Sequence, residues 1–292
     1  MKVSLVVGMG IGNLYATVLG NLGHGIITVD SDPNKNADFT SVEDAIRECR
    51  MFDTVHICTP NFTHIKIARK LAPVSRIVFI EKPGVATSDA WEQLCTDYPK
   101  TRFMMVKNNM WRNNIAELKT KADQADTVNL LWLNKDRVPN PGTWFTTKSL
   151  AFGGVSRDLM PHLLSLYIAL NPNWRTDELI GSSATTNWKL EDLTQTDYGI
   201  VKADGTYDVD DECHLVYTEK WNLAADWRTD TVDCRQILFN MPEDVEVFEL
   251  GLCPEDAYQA MIKDAVDNVG NDEFWQQQYE YDMWIHKQVE NL

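Results

Sequence analysis

The sequence predicts an α/β protein whose N-terminal part is a doubly wound parallel sheet, and three observations lead to this prediction. Short apolar segments alternate with helical patterns at close spacing through residue 106. A glycine-rich turn follows the first apolar segment, and the fourth ends abruptly on Glu81-Lys82-Pro83. Charge also divides the chain, with 13 Lys and Arg against 12 Asp and Glu through residue 117, and 14 against 31 after it. We therefore expect two domains, residues 1–117 and residues 118–292.

The first apolar segment leads from Lys2 through Gly8-Met-Gly-Ile-Gly-Asn13 into an apolar-periodic helix that continues to Leu22. A strand, a glycine turn and a helix in this order aim backbone N–H groups and a helix N-terminus at a pyrophosphate. The pattern predicts a dinucleotide site formed by Gly8, Gly10, Ile11 and Gly12. The spacing G-x-G-x-G is one residue shorter than the usual G-x-G-x-x-G. Either the turn is tighter, or Asn13 takes the place of the third glycine.

A second apolar segment, Ile26 to Val29, ends at Asp30, which lies 20 residues beyond Gly10. A carboxylate at this position can accept hydrogen bonds from both ribose hydroxyls of the adenosine. The same carboxylate repels a 2′-phosphate. The sequence therefore predicts NAD as the cofactor, with NADP less favoured.

The third and fourth strands are predicted at Asp53–Cys58 and Ile77–Ile80, and a fifth at Phe103–Val106. Helices are expected from Ser41, after His64 and from Ser88. In open α/β sheets, ligands bind outside the carboxyl ends of the strands. Polar turns follow two of these ends, namely Thr59-Pro60-Asn61 and Glu81-Lys82-Pro83. Alone, the second turn is equally compatible with a surface Glu-Lys pair that caps a strand.

Three motifs in order carry a resemblance to a known family: C-T-P-N-x-x-H at 58–64, E-K-P at 81–83, and Gly153-Gly-Val-Ser-Arg-Asp-Leu-Met-Pro-His162. Together they resemble the glucose-fructose oxidoreductase and inositol 2-dehydrogenase (Gfo/Idh/MocA) family. The resemblance implies an N-terminal Rossmann domain and a C-terminal α+β domain with a large, mostly antiparallel sheet for substrate binding and oligomerisation. It also implies three catalytic residues, Lys82, Asp158 and His162. The further cofactor contacts that it implies are Thr59, Pro60, Asn61, His64, Glu81 and Lys82.

Two positions depart from the family pattern. Met160 stands where the family usually has glycine, so the backbone there is expected to be less open to a substrate. Family members often carry an arginine after the fifth strand, and the segment Asn108 to Arg112 aligns with it in more than one way. No residue of that segment is assigned.

Asp158 and His162 are four residues apart, so both side chains are expected on one face of a helical turn. Pro161 between them is compatible only with the first turn of a helix, where its missing N–H is not needed. An imidazole beside a carboxylate is suited to act as a general base near neutral pH. Alone, the pair is also compatible with a capping aspartate and a core histidine.

The resemblance implies hydride transfer between nicotinamide and a carbinol carbon of a sugar, sugar derivative or cyclitol. Two alternatives stay open: a reductase of an unsaturated substrate, like biliverdin reductase, and a regulator that binds NAD(P) and sugars without turnover. The complete set of Lys82, Asp158 and His162 favours an enzyme over a regulator. If the substrate is anionic, Arg157 is the first residue expected to hold it.

Several classes of partner are disfavoured by composition. The acidic second part repels phosphate backbones and anionic membrane surfaces, so we expect neither nucleic acid nor membrane as a partner. Six cysteines are scattered singly and no His, Cys and Asp cluster has ligand spacing, so we expect no disulfide framework and no metal. Nothing marks the chain for export, so a cytoplasmic location is expected. By the resemblance, a homo-oligomer, either a dimer or a tetramer, is expected.

Overall fold

A computed structural model describes residues 1–193, 196, 199–229 and 233–292. The chain divides into two compact units. The first unit consists of Met1–Trp111 together with Pro254–Glu290, and the second of Arg112–Cys253 with Asn291–Leu292. The predicted division at residue 117 therefore needs correction, because residues 254–290 belong to the first unit and not to the second.

The first unit is built on five parallel strands: β1 (Val3–Val7), β2 (Gly25–Val29), β3 (Phe52–Ile57), β4 (Ser75–Ile80) and β5 (Arg102–Met105). Their order in the sheet is β2-β1-β3-β4-β5. The chain runs outward from β1 in one direction to β2 and then returns to β3 on the other side of β1. The strand order reverses between β1 and β3, which is where an open α/β sheet forms its ligand crevice.

Four helices connect these strands: α1 (Gly12–Asn21), α2 (Val42–Glu48), α3 (His64–Leu71) and α4 (Ser88–Asp97). The α2 helix starts as predicted, since Ser41 Oγ accepts a hydrogen bond from the backbone N–H of Asp44 at 3.2 Å. Consecutive side chains of β4, Val78, Phe79 and Ile80, are fully buried although they point alternately to the two faces of the sheet. Burial on both faces is typical of a parallel sheet covered by helices, and the predicted doubly wound fold is confirmed.

The second unit contains a six-stranded sheet, in which only the β6–β9 pair is parallel. Its strands, in the order β11-β10-β6-β9-β8-β7, are β6 (Thr127–Leu133), β7 (Leu179–Thr185), β8 (Glu212–Tyr217), β9 (Trp221–Asp226), β10 (Cys234–Asn240) and β11 (Val245–Glu249). Along β6, Val128, Leu130 and Trp132 are buried while the residues between them are partly exposed. This alternation is typical of a sheet with one covered face, and the predicted α+β second fold is confirmed.

Helices of the second unit are α5 (Ile115–Gln124), α6 (Lys148–Ala151), α7 (Val155–Asp158) and α8 (Met160–Leu170). The α8 helix packs on β6 and β9, and its residues are apolar on every side because α5 covers it as well. Two C-terminal helices, α9 (Glu255–Asp267) and α10 (Asp272–Val289), complete the first unit. Among the helices of the described ranges, none is both long and apolar enough to cross a membrane.

The β8–β9 pair of the second unit sets two acidic side chains directly opposite each other, Glu212 and Asp226. Partial burial is the main reason that the pKa of Asp226 rises from its ordinary 3.8 to about 6, and the neighbouring carboxylates Glu212 and Asp211 raise it further. Since the folded pKa exceeds the unfolded one, ionisation destabilises the folded state. Stability is therefore lost as the pH rises from 3.8 through about 6.

We expect Asp226→Asn to raise the free energy of unfolding by about 1 kcal/mol at about pH 8, after allowance for solvent screening of a partly exposed carboxylate. The gain should vanish near about pH 4, where Asp226 is already protonated. Urea unfolding at both pH values measures this difference. Replacing the exposed Asp204 by Asn is the matched control. If Asp226→Asn raised the free energy of unfolding equally at both pH values, the raised pKa of Asp226 would not be its cause.

Candidate cofactor and catalytic site

The glycine turn after β1 is fixed at its first residue by backbone geometry. Gly8 has a φ of +93°, and a Cβ added to it would lie 2.7 Å from the carbonyl oxygen of Cys58. Its N–H donates a hydrogen bond to Val29 O at 2.8 Å. A side chain at this position would therefore force β1 and the turn after β3 apart.

The shortened spacing of this turn is explained by Gly12, which answers the question left open about Asn13. The α1 helix begins at Gly12, and a Cβ there would lie 2.9 Å from Val6 Cγ1. Asn13 is exposed, and its amide donates to Met9 O at 2.6 Å. Gly12 thus provides the close contact between helix and strand that the third glycine usually provides. The turn is tighter, and Asn13 does not replace the glycine.

The remaining residues of the turn leave its backbone open. A Cβ added to Gly10 would meet no atom within 4 Å, and Ile11 is 46% exposed. No side chain caps the N-terminus of α1. Uncapped N–H groups at a helix start form an anion site. The open backbone of the turn agrees with an anion site at Gly8, Gly10, Ile11 and Gly12, and pyrophosphate binding there stays a prediction.

Asp30 is held beside this turn by two backbone groups. Its Oδ2 accepts a hydrogen bond from Met9 N at 2.7 Å, and its Oδ1 accepts one from Asp32 N at 2.9 Å. Each carboxylate oxygen has a second lone pair, so both retain acceptor capacity for ribose hydroxyls. The carboxylate is thus already oriented before any nucleotide binds.

We expect the protein to bind NADH more tightly than NADPH, and we expect Asp30→Ala to weaken this preference at least about tenfold. The reason is that a carboxylate facing a 2′-phosphate places like charges together. Fluorescence titration of both reduced cofactors measures the two affinities. Asp97→Asn, at the far end of α4, is a matched control. Equal affinities of the wild-type protein for both cofactors would contradict the role of Asp30.

The Thr59-Pro60-Asn61 turn is stabilised by a network of short hydrogen bonds. Thr59 Oγ1 lies 2.6 Å from Thr63 Oγ1, which donates to Pro60 O at 2.7 Å. Asn61 opens a short 3₁₀ helix of residues 61–63 that leads into α3. The turn lies at the carboxyl end of β3, at the point where the strand order reverses.

His64 joins this turn to the Glu81-Lys82-Pro83 turn. The ring is fully buried, with Nε2 2.7 Å from Thr59 O and Nδ1 2.7 Å from Gly84 O. Burial lowers the pKa of His64, and the two carbonyl contacts oppose this effect. Both ring nitrogens contact backbone carbonyls. Any influence of His64 on a cofactor is therefore exerted through the two turns that it joins.

The turn after β4 has a cis peptide bond between Lys82 and Pro83. Glu81 Oε1 accepts a hydrogen bond from the hydroxyl of Tyr15 on α1 at 2.5 Å. Burial, followed by the charge of Glu81, raises the pKa of Tyr15 well above its ordinary value, so the phenol stays a donor. Tyr15 was not predicted as a site residue, because its apolar helix position is indistinguishable from core packing.

Behind Lys82, the turn is supported by the C-terminal helix α10. A Cβ on Gly84 would lie 2.6 Å from His286 Nε2, which accepts a hydrogen bond from Val85 N at 3.2 Å. The other ring nitrogen lies 2.7 Å from Asp282 O. Glu290 accepts two hydrogen bonds from Ser88, at 2.7 and 2.9 Å, at the start of α4. The lysine turn is therefore held by residues about 200 positions later in the sequence.

A buried ion pair fixes the same helix to β5. Lys107 Nζ contacts Asp282 Oδ1, and both side chains are fully buried. Lys107 also donates to Met105 O at 3.0 Å, and Met105 N donates to Asp282 Oδ2 at 3.1 Å. Burial lowers the pKa of Lys107 and raises that of Asp282 to about 6, because it disfavours the charged form of each group. The charge of the partner opposes both shifts.

In the second unit, the Gly153-Gly154 segment is fixed by Asp210. A Cβ on Gly154 would lie 1.7 Å from Asp210 O, so no side chain fits there. The Asp210 carboxylate accepts hydrogen bonds from Gly154 N at 2.8 Å and from Ser156 N at 2.7 Å. These bonds hold the start of α7 and so position Asp158, which ends this short helix. Nothing in the sequence signalled the role of Asp210.

Asp158 and His162 lie on either side of the junction between α7 and α8. Asp158 Oδ2 accepts a hydrogen bond from the buried indole N–H of Trp227 at 2.9 Å. His162 packs against the Trp132 ring at 5.1 Å between ring centroids, with a 21° angle between the planes. Pro161 lies in the first turn of α8, as predicted. Met160 is fully buried, so the residue that replaces the family glycine packs into the core.

No group of three or more His, Cys, Asp or Glu side chains suited to a metal ion occurs in the described ranges. All six cysteines are free thiols. The site residues of each unit are therefore hydrogen-bonding, acid–base and aromatic groups.

Comparison with known proteins extends this description. Residues 29–107 match the model of an oxidoreductase family described as an NAD-binding Rossmann fold, so the predicted cofactor, NAD, is confirmed. A proposed UDP-kanosamine synthase oxidoreductase subunit of Amycolatopsis mediterranei (strain S699) is 26% identical over 160 residues. This alignment covers 50% of the chain and only 44% of that protein.

Solved structures share the fold over nearly the whole chain. GenD2 from gentamicin A biosynthesis, solved with NAD, superposes with a TM-score of 0.74 at 17% identity, covering 99% of this chain and 92% of GenD2. Levoglucosan dehydrogenase with NADH and levoglucosan gives a TM-score of 0.72 at 16% identity, covering 99% and 96% of the two chains. At such low sequence identities, the structural similarity shows a shared fold and nothing about the reaction or the substrate.

Proposed function

We propose that the protein is an NAD-dependent dehydrogenase of the Gfo/Idh/MocA oxidoreductase family, whose model residues 29–107 match, and that it acts on CH–OH groups. The substrate that we propose is a sugar, a sugar derivative or a cyclitol. The observation that carries the proposal is the position of two polar turns, Thr59–Asn61 and Glu81–Pro83, at the carboxyl ends of neighbouring strands of an NAD-binding sheet. Both turns are fixed by buried histidines, which is typical of a site that must be rigid.

In the proposed reaction, His162 takes the proton of the substrate hydroxyl as the carbinol carbon becomes a carbonyl. NAD, when bound, would supply the nicotinamide ring that takes up the hydride released by that carbon. Lys82 is cationic and donates a hydrogen bond to the same oxygen, which stabilises its developing negative charge. Asp158 orients His162 or holds Lys82, and the indole N–H of Trp227 limits its rotation.

The first unit provides the groups that hold the dinucleotide. Backbone N–H groups of Gly10 to Gly12 and the N-terminus of α1 bind the pyrophosphate, while Asp30 binds the adenosine ribose. In our proposal, Thr59, Pro60, Asn61 and Glu81 contact the nicotinamide half. Glu81 accepts a hydrogen bond from Tyr15, which orients its carboxylate in this part of the site.

We assign substrate binding and oligomerisation to the second unit. One face of its sheet is covered by α8, while residues of the other face such as Asn129, Leu131 and Leu133 remain partly exposed. Pairing of two such faces would bury the apolar members and form a homodimer or tetramer. Light scattering after size-exclusion chromatography tests this. For location we propose the cytoplasm, where six free thiols remain reduced.

The experiment that tests the proposal is a screen of sugars, sugar acids and polyols with NAD and NADP, followed at the nicotinamide absorbance. Oxidation of at least one polyhydroxylated substrate with NAD, lost in Lys82→Ala, would support a dehydrogenase. Tight NADH binding without any turnover would instead indicate a regulator. Reduction of unsaturated substrates alone, with retained activity in His162→Ala, would indicate a reductase that draws its proton from water.

A further inference from the structure

Arg235 on β10 shares an aromatic partner with His162. Its register partner on β6 is Trp132, so the two side chains lie on the same face of the sheet. The guanidinium carbon of Arg235 lies 5.3 Å from the centre of the Trp132 ring, and the His162 ring packs against that same indole at 5.1 Å. A cation and the candidate base of the reaction thus both contact the same indole ring.

Arg235 forms no ion pair with a carboxylate among residues 1–193, 196, 199–229 and 233–292. The charge of Asp233 does act on it and raises its pKa, but that carboxylate pairs with Arg137. The only hydrogen bond of Arg235 within these ranges is a long one, 3.4 Å from Nη2 to Asn134 Oδ1. Its Nε is buried and makes no hydrogen bond. Partial burial, and then the charge of Arg137, lowers the pKa of Arg235, which means that its charged form is incompletely compensated.

The two nearby arginines differ in this respect. Arg137 Nη2 lies 2.5 Å from Asp233 Oδ2, and Arg228 Nε lies 3.5 Å from Asp136 Oδ1. Both charges are therefore neutralised by neighbours. Within the described residues, Arg235 therefore has no carboxylate of its own, in a part of the chain with 31 acidic and 14 basic residues after position 117. A desolvated guanidinium of this kind is stabilised when an anion binds to it.

A single guanidinium matches one class of anion best. A carboxylate carries a single negative charge and presents two oxygens that fit the planar guanidinium fork. A phosphate monoester carries nearly two charges at neutral pH, which would need a second unpaired cation.

We propose that Arg235 binds the carboxylate of an acidic sugar, so that the substrate is a uronic or aldonic acid whose hydroxyl reacts at His162. This inference rests on the proposed function, and it names the substrate class of that same site. Arg157, the residue first expected to hold an anion, is only 5% exposed and lies within α7. Arg235 takes that role instead.

The test compares matched substrates and matched variants. Glucose and glucuronate, together with gluconate and glucose 6-phosphate, are assayed with NAD against the wild-type protein, Arg235→Gln, Arg235→Lys and the control Arg175→Gln, which changes an exposed arginine of the same unit. We expect kcat/KM for the sugar acid to fall about 100-fold in Arg235→Gln, mainly through KM, because a charge-assisted bidentate pair is lost. Arg235→Lys should recover part of the loss. Activity on neutral sugars, and the activity of Arg175→Gln on the acids, should change little. Thermal unfolding confirms that each variant is folded.

Calorimetric titration of the NADH complex with the same acids separates this inference from the proposed function. Binding of a sugar acid that requires Arg235, without turnover of any substrate, supports the anion site and overturns the dehydrogenase. Turnover of neutral sugars with no binding of any acid overturns the anion site and leaves the dehydrogenase intact. Preference for the sugar phosphate, or equal activity on acids in Arg235→Gln and wild type, also overturns it.

Discussion

Replacing His162 or Lys82 by alanine is expected to abolish most turnover while leaving cofactor binding nearly intact. Loss of a positioned general base typically lowers the rate by about 10²- to 10⁴-fold, and loss of a fixed donor to the developing oxyanion by about 10²- to 10³-fold. The adenosine half of NAD is held by Gly10, Gly12 and Asp30, which neither change touches. Steady-state kinetics on an established substrate and NADH titration measure the two effects.

The controls use residues of the same type in exposed positions. His214→Ala on β8 and Lys66→Ala on α3 should keep full activity, since both side chains are exposed. If His162 and Lys82 act on one oxygen, the double variant should lose far less than the product of the single losses. Asp158→Asn should be milder and should alter the pH profile. Near-full activity in both alanine variants would mean that the catalytic assignment is wrong.

Breaking the buried pair between Lys107 and Asp282 is expected to destabilise the first unit more than any surface change. Either Lys107→Met or Asp282→Asn should lower the free energy of unfolding by about 3–5 kcal/mol, because one partner of a buried pair loses its compensation. Burial already opposes both charges, as the lowered pKa of Lys107 and the raised pKa of Asp282 indicate. Urea unfolding measures the loss.

The double change Lys107→Met with Asp282→Leu should recover much of that loss, since no uncompensated charge remains. The exposed pair Lys263–Asp267 on α9 serves as the comparison. Lys263→Met there should change stability little, because a solvated pair contributes little. If a variant with only Lys107 or only Asp282 replaced unfolded at the same urea concentration as the wild type, the pair would have no stabilising role.

Much of the first unit was predictable because its signals are local. Strand, glycine turn, helix and the acidic residue Asp30 follow one another within 30 residues, and each is fixed by short-range geometry. The Gly12 contact with Val6 required the structure, since a sequence spacing does not reveal which glycine lies against the strand. The support of the lysine turn by His286 was not predictable. It depends on packing between residues about 200 positions apart, and no local pattern marks it.

In the second unit, the motif from Gly153 to His162 pointed to the correct helix junction. Its partners Asp210, Trp227 and Trp132 come from other strands and loops, where an aspartate or tryptophan has many ordinary roles. The sequence also could not show which arginine is left without an ion-pair partner. Arg157 was favoured as an anion partner because it adjoins the motif, whereas burial and the neutralised pairs around Arg235 are properties of the folded sheet.

The return of residues 254–290 to the first unit has a consequence for biosynthesis. The α9 and α10 helices contribute Met261, Ile262, Ala265 and Trp275 to the core that also contains Val6, Tyr15 and Phe79. On the ribosome, the nucleotide-binding sheet emerges first but keeps this apolar surface uncovered until the final helices have been synthesised. Chain elongation therefore delays completion of the cofactor unit, and a ribosome-bound chain stalled before residue 254 should be captured by chaperones that recognise exposed apolar segments.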